Sequence, residues 1–228
     1  MKPKSRYRRG YPVAVLAGFE ADHAMLWQVF SRVVKPFHKI KIEGNRTDAK
    51  VIYNFHESTV AALKTLLTEG VRTIVVASPP RTDYATSFLT HVHKHHKYLI
   101  QSKGANRANF VALVGSADDK LTVAELVKTE EFNKLIAETT SEEADQVVNL
   151  LEKHLYNDDN SSVVLYSLKE IENRVYRKET EPEYLTEYLL LTNKYLAETK
   201  QKSRIHRLMQ ISKNKKVKTK VVDTETSA

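Results

Sequence analysis

The densest group of chemistry-bearing side chains is His91, His93, His95 and His96, in the run HVHKHH. On a helix, His91 and His95 stand at i and i+4, the spacing at which two imidazoles share a face and can clamp a divalent ion. No third ligand with a matching carboxylate is evident, and Lys94 and Lys97 flank the rings with like charge. The run therefore reads as a solvated or RNA-facing helix surface, with no metal and no cofactor expected. A second group is Glu20 and Asp22, two acids after an apolar run, with Asp48 further along. Carboxylates converging on an ion pair about 3.5–4 Å apart would make a metal-dependent nuclease, whereas an acidic pair beside a turn is ordinarily solvated.

Absences narrow the chemistry further. The six glycines stand at 10, 18, 44, 70, 104 and 115, and no two are adjacent, so neither GxGxxG nor GxxxxGK phosphate loops can be built. There is no GxSxG elbow and no HExxH zinc helix. The absence of cysteine excludes disulfides, thiolate zinc sites, iron-sulfur clusters and thiol nucleophiles. No catalytic residue and no enzymatic activity are expected.

What remains is charge. Lys and Arg outnumber Asp and Glu by 36 to 28, a net +8, and the excess is concentrated at the two ends. Residues 1–10 hold five basic side chains, Arg6, Arg8 and Arg9 among them, and no acid. Residues 194–220 hold ten basic side chains against Glu198, leaving the middle slightly acidic. Solubility does not require such asymmetry, and contact with RNA or another polyanion explains it. Lys200, Lys202, Arg204, Arg207, Lys213, Lys215 and Lys216 lie on or beside one short segment with Ile205, Leu208 and Met209 as its apolar stripe. That stripe should face a core and turn the cations toward phosphate, giving steep salt dependence and little base reading. Asn45 and Arg46, in the polar loop EGNRTD at 43–48, are the other RNA-contact candidates. Tyr53, Phe55, Tyr84 and Phe88 could stack bases, but their spacing assigns them to the core.

The elements that position these residues follow from apolar periodicity. A composition of 41% hydrophobic and 28% charged residues belongs to a globular chain, and no apolar run is long enough to span a membrane. The opening residues have charge without an apolar segment behind them, so a cytoplasmic location is expected. Strands are predicted at 13–17 and 37–42, with 23–30 open between strand and helix. The run 51–55 precedes a helix at 58–69 that buries Val60, Leu63, Leu66 and Leu67 and ends at Gly70. A central strand at 71–77, a helix at 83–99 and a strand at 110–114 complete a parallel α/β unit closing near Ala117. Helix continues over 121–155 with a break near Ser141, read as an N-cap. Downstream come a strand at 163–166, a helix at 168–175, a strand at 188–192, the basic helix at 203–214 and a strand at 217–222.

The segments 163–172 (VVLYSLKEIE), 188–194 (YLLLTNK) and 216–222 (KVKTKVV), in this order, resemble the third domain of the archaeal and eukaryotic class 1 release factor and Pelota superfamily. There a Y-G/S-L-K-E-V-E helix precedes an L-L-L-T-D strand, a lysine-rich helix and a V-x-x-V strand. Upstream, the strand at 71–79 and the helix at 55–70 resemble that superfamily's central domain. The resemblance implies two small α/β domains: an RNase H-like, central-domain-type unit over 11–117 after a basic tail at 1–10, and a ribosomal-protein-like unit of the kink-turn-binding type over 118–228. The decoding domain and the Gly-Gly-Gln loop are missing, and the resemblance places the corresponding loop at 43–48. Codon reading and peptidyl-tRNA hydrolysis are therefore not expected, since hydrolysis depends on that loop's amides placing water at the ester. The implied function is a non-catalytic, ribosome-associated factor in rescue, termination or dormancy, contacting rRNA or tRNA. The alternatives are the metal-dependent nuclease above and an adaptor that holds a translational GTPase.

Overall fold

The structure, a computed structural model, describes residues 12–31, 33–102, 107–156, 163–177, 186–215 and 217–222. It divides into two compact units, the first reaching Thr139 and the second running on from Thr140 and taking in Thr68–Gly70.

In the first unit, β1 (Pro12–Phe19), β2 (His23–Phe30) and β3 (Val34–Lys41) form an antiparallel meander. Next come α1 (Ala49–Thr68), β4 (Thr73–Ser78), α2 (Tyr84–His95), α3 (Lys97–Gln101) and β5 (Asn109–Val114). The sheet order is β3-β2-β1-β4-β5, with β4 parallel to both β1 and β5, which is an RNase H-like arrangement. Strand β1 feeds both faces because successive side chains point to opposite sides. Val15, Ala17 and Phe19 pack with α1 and α2 through Leu63, Leu66, Phe88 and Val92. Ala14 and Leu16 pack with Trp27, Val75 and the helices α4 (Lys120–Leu126) and α5 (Glu130–Tyr156) through Val123, Leu126 and Phe132. Double-sided burial is why 13–17 and 71–77 read as continuous apolar runs rather than alternating ones. The β3 edge is different in kind: Pro36, Lys39 and Lys41 are exposed along it and only Ile40 is buried.

Several boundaries depart from the sequence expectation for local reasons. Helix α1 starts at Ala49 and absorbs 51–55, because Asp48 accepts the Lys50 N–H at 2.8 Å and opens the helix early. Ser141 lies inside α5 rather than capping it. The cap is Thr129, whose hydroxyl accepts the Phe132 N–H at 3.2 Å ahead of Glu130 and Glu131. Thr139 is satisfied within the helix, donating to the Leu135 carbonyl at 2.7 Å. The sequence puts closure of the first unit near Ala117, yet the apolar faces of α4 and early α5 belong to its core and carry it to Thr139.

The second unit contains α6 (Leu168–Tyr176), β6 (Tyr188–Thr192), α7 (Asn193–Glu198), α8 (Lys202–Asn214) and β7 (Lys218–Val222). Strands β6 and β7 pair in parallel as a separate two-stranded sheet. Its core is small: Val175, Leu189, Leu191, Ile205, Leu208 and Val217. Residues 163–166, expected as a strand, join no ladder.

Candidate functional site

Strands β1, β4 and β5 end on the same side of the sheet, where ligands of open α/β sheets collect. The loops beyond them are tied to one another by polar side chains. Glu20 accepts from the Ser116 hydroxyl at 2.7 Å and the Ala117 N–H at 3.4 Å. Buried His23 has Nδ1 2.7 Å from Asp22 and Nε2 2.7 Å from Asp118, and its hydrogen bond holds the Asp22 carboxyl below its usual value. Asp48 is committed to the start of α1. The three acids of the nuclease reading are thus separately engaged, and among the described residues no trio of metal-ligating side chains includes any of them.

Arg46 is likewise occupied. It donates to the carbonyls of Glu20 at 2.7 Å and Ala21 at 2.8 Å, and its guanidinium lies 3.5 Å from the Tyr84 ring centroid. Burial lowers its pKa from the ordinary arginine value, against the pull of Tyr84 and Asp83. Asn45 is exposed, and its side-chain oxygen accepts the Thr47 N–H at 3.0 Å in an Asx turn. Arg46 therefore pins the 43–48 loop, while Asn45 stands open. Of the aromatics assigned to the core, Phe55 and Phe88 are buried, Tyr84 carries Arg46, and Tyr53 is exposed.

The histidine run divides into one buried pair, His91 and His96, and the exposed His93 and His95. His95 turns its ring to exposed Tyr53, with centroids 5.2 Å apart. His91 and His96 are buried, and their Nε2 atoms lie 3.0 and 2.9 Å from one oxygen, Oε1 of Glu57 on α1. The helix ends at His95, and the turn at His96 brings an i, i+5 pair onto one point where i, i+4 would have chosen His95. Glu57 escaped the sequence reading because it lies 34 and 39 residues from its partners. Burial lowers the His91 pKa despite Glu57. Burial raises that of Glu57, but the hydrogen bonds from His96 and His91 outweigh it and leave the carboxyl below its usual value.

In the second unit, Ile205 and Leu208 are buried and Lys200, Lys202, Arg204, Arg207 and Lys213 are exposed, as an amphipathic basic helix requires. They are not equivalent. Arg204 holds Glu172 of α6 through two bonds, Nε to Oε1 at 2.7 Å and Nη2 to Oε2 at 2.5 Å. The Glu172 carboxyl is held below its usual value by that bond, and the pKa of Arg204 is raised. Lys213 lies 2.8 Å from Glu69, which groups with this unit, and Lys215 donates to the Arg177 carbonyl. Arg207 lies loosely over Tyr176, 5.9 Å from the ring centroid. Lys200, Lys202 and Arg207 are thus the cations of this segment most available to an anion. Arg6, Arg8, Arg9 and Lys216 lie outside the described residues.

An RNase H-like unit followed by a small unit with a basic helix is the architecture of the central and third domains of the Pelota and release factor superfamily, and this chain has that fold. Ribosome-bound archaeal Pelota superposes with a TM-score of 0.51 at 17% identity, over 97% of this chain and 57% of that one. Saccharomyces cerevisiae Dom34, a translation termination-like factor involved in RNA quality control and interacting with Hbs1, gives 0.48 at 20% identity, over 93% and 57%. Archaeoglobus fulgidus Pelota gives 0.44 at 19% identity, over 95% and 59%. The chain spans less than two thirds of each of these proteins, and at 17% identity the likeness to ribosome-bound archaeal Pelota establishes the fold alone. No protein-family model and no curated protein matches the chain. No helix among the described residues is long and apolar enough to cross a membrane.

Proposed function

We propose that this chain is a non-catalytic, ribosome-associated RNA-binding factor of the release factor and Pelota type, working in the cytoplasm in rescue, termination or dormancy. The observation that carries this reading is the outward face of α8. Lys200, Lys202 and Arg207 stand exposed around a helix whose apolar side is fixed in the core by Ile205 and Leu208. Such cations position a protein on phosphate without reading sequence. The basic residues at 1–10 extend the same chemistry. Arg204 acts here as a positioning residue, since its guanidinium is spent on Glu172. The lack of a phosphate loop, thiol or Gly-Gly-Gln in the sequence supports binding without turnover.

Co-sedimentation with ribosomes and isolated subunits across a salt series tests the proposal. Each phosphate contact should contribute about −0.9 to the slope of log K against log salt. Sedimentation that is absent at low salt, or indifferent to salt, counts against it.

A further inference from the structure

Outside the basic surface, one trio of metal-ligating side chains among the described residues is left unused by the proposed function. We propose that Glu57, His91 and His96 form a site for one divalent transition-metal ion of the zinc class, which staples α1 to α2. The ligand atoms, Glu57 Oε1 and the two Nε2 atoms, all lie within 4.8 Å of one another. Tetrahedral zinc, with bonds near 2.0–2.2 Å, separates its ligand atoms by about 3.4 Å. The two nitrogen–oxygen distances are 3.0 and 2.9 Å, so the carboxylate would withdraw by about half an ångström, while the two nitrogens, within 4.8 Å of each other, would settle near the same ~3.4 Å. Glu57 can move, because its side chain is 36% exposed, whereas both imidazoles are buried and held in place.

The donor set is chemically apt. Two imidazoles and one carboxylate are zinc ligands, and the exposed side of Glu57 leaves a fourth position for water. Without metal, each Nε2–H donates to Glu57. With metal, the proton of each neutral ring resides on Nδ1 instead, so no net proton is gained or lost. The Nδ1 atom of His96 is 3.2 Å from the Tyr98 hydroxyl, which then accepts its N–H as outer-shell support. Burial of the His91 ring disfavours its charged form, which cannot bind metal. Lys94 and Lys97, the flanking cations, are exposed to solvent, which screens their repulsion.

The test uses the full chain, stripped with a chelator and titrated with Co2+, whose visible absorption reports coordination, followed by Zn2+ in competition. One Co2+ per chain, displaced by Zn2+, is expected, together with a rise in Tm on adding Zn2+. Glu57→Gln should weaken Co2+ binding at least about tenfold, the least seen for loss of even an outer-shell partner. His95→Gln, whose ring packs on Tyr53 and lies 4.9 Å from the His91 ring but brings no ligand atom to the cluster, should weaken binding far less. No Co2+ signal, equal affinity in Glu57→Gln, or an equal loss in His95→Gln overturns the proposal. If Glu57→Gln does not fold by circular dichroism, His96→Gln takes its place, and unchanged binding there overturns it.

Discussion

Arg46 in the first unit and the Arg204–Arg207 pair in the second spend their charge differently. In the first, Arg46 is drawn inward, bonded to two carbonyls and laid on Tyr84, so its charge closes a loop. In the second, Arg204 secures α8 to α6 through Glu172 while Arg207, one turn on, is left outside. The difference follows core size. A five-stranded sheet covered on both faces can bury polar clasps among its loops, whereas a two-stranded sheet with six buried apolar residues has little interior to spare. The first unit is a scaffold with satisfied loops, and the second is a thin support for charge.

The largest expected effect probes that support. Leu208 is fully buried, and Leu208→Ala should cost about 2–5 kcal/mol. Trp27, the single tryptophan, lies in the first core, so its fluorescence reports that unit separately. A denaturant transition that moves by circular dichroism but not by fluorescence would sharpen the contrast between units; transitions that move together would break it.

Acid is the next lever and acts on the first unit. His56 is buried against Phe88 and His91, its Nε2 has no hydrogen-bond partner among the described residues, and burial lowers its pKa to about 4. The unfolded chain binds that proton near pH 6.5, so stability is full above pH 6.5, falls as pH drops toward 4 and then levels. The loss is up to about 3 kcal/mol at ~1.4 kcal/mol per unit. Thermal melts of His56→Phe against the parent should show it removed.

Gly18→Ala should cost less, about 1–3 kcal/mol, as overpacking does. A Cβ there would stand 2.5 Å from the Ala117 Cβ, in the segment whose carbonyl accepts the Trp27 indole at 2.7 Å. Equilibrium unfolding that matches the parent would show that the loop clasp yields. The smallest effect is electrostatic. Arg207→Glu should flatten the ribosome salt slope by about one unit without moving Tm. Arg204→Glu should lower Tm instead, because it strands the Glu172 carboxylate. If both behave alike, the distinction between a bound and an available arginine fails.

Much of this arrangement is legible in the residues. Buried runs such as 71–77 and the stripe of α8 declare themselves by period alone. What escapes is pairing at a distance. Net charge around 200–216 does not distinguish Arg204 from Arg207, because the difference lies in Glu172, 32 residues away. The His91–His96 pair is hidden by the end of α2, since a repeat of 3.6 residues stops applying where the helix does. The Ser141 signal misleads because Thr129 offers the same capping chemistry nearer the α4 core.

The character of β3 has its own consequence. Its outer margin lacks the Pro36 N–H, and Lys39 and Lys41 stand along it. A second copy is opposed from adding a strand at this edge, the opposite edge being β5. Molecules drawn close together on one polyanion would therefore not zip through β3 into a continuous filament, which needs both edges of every sheet.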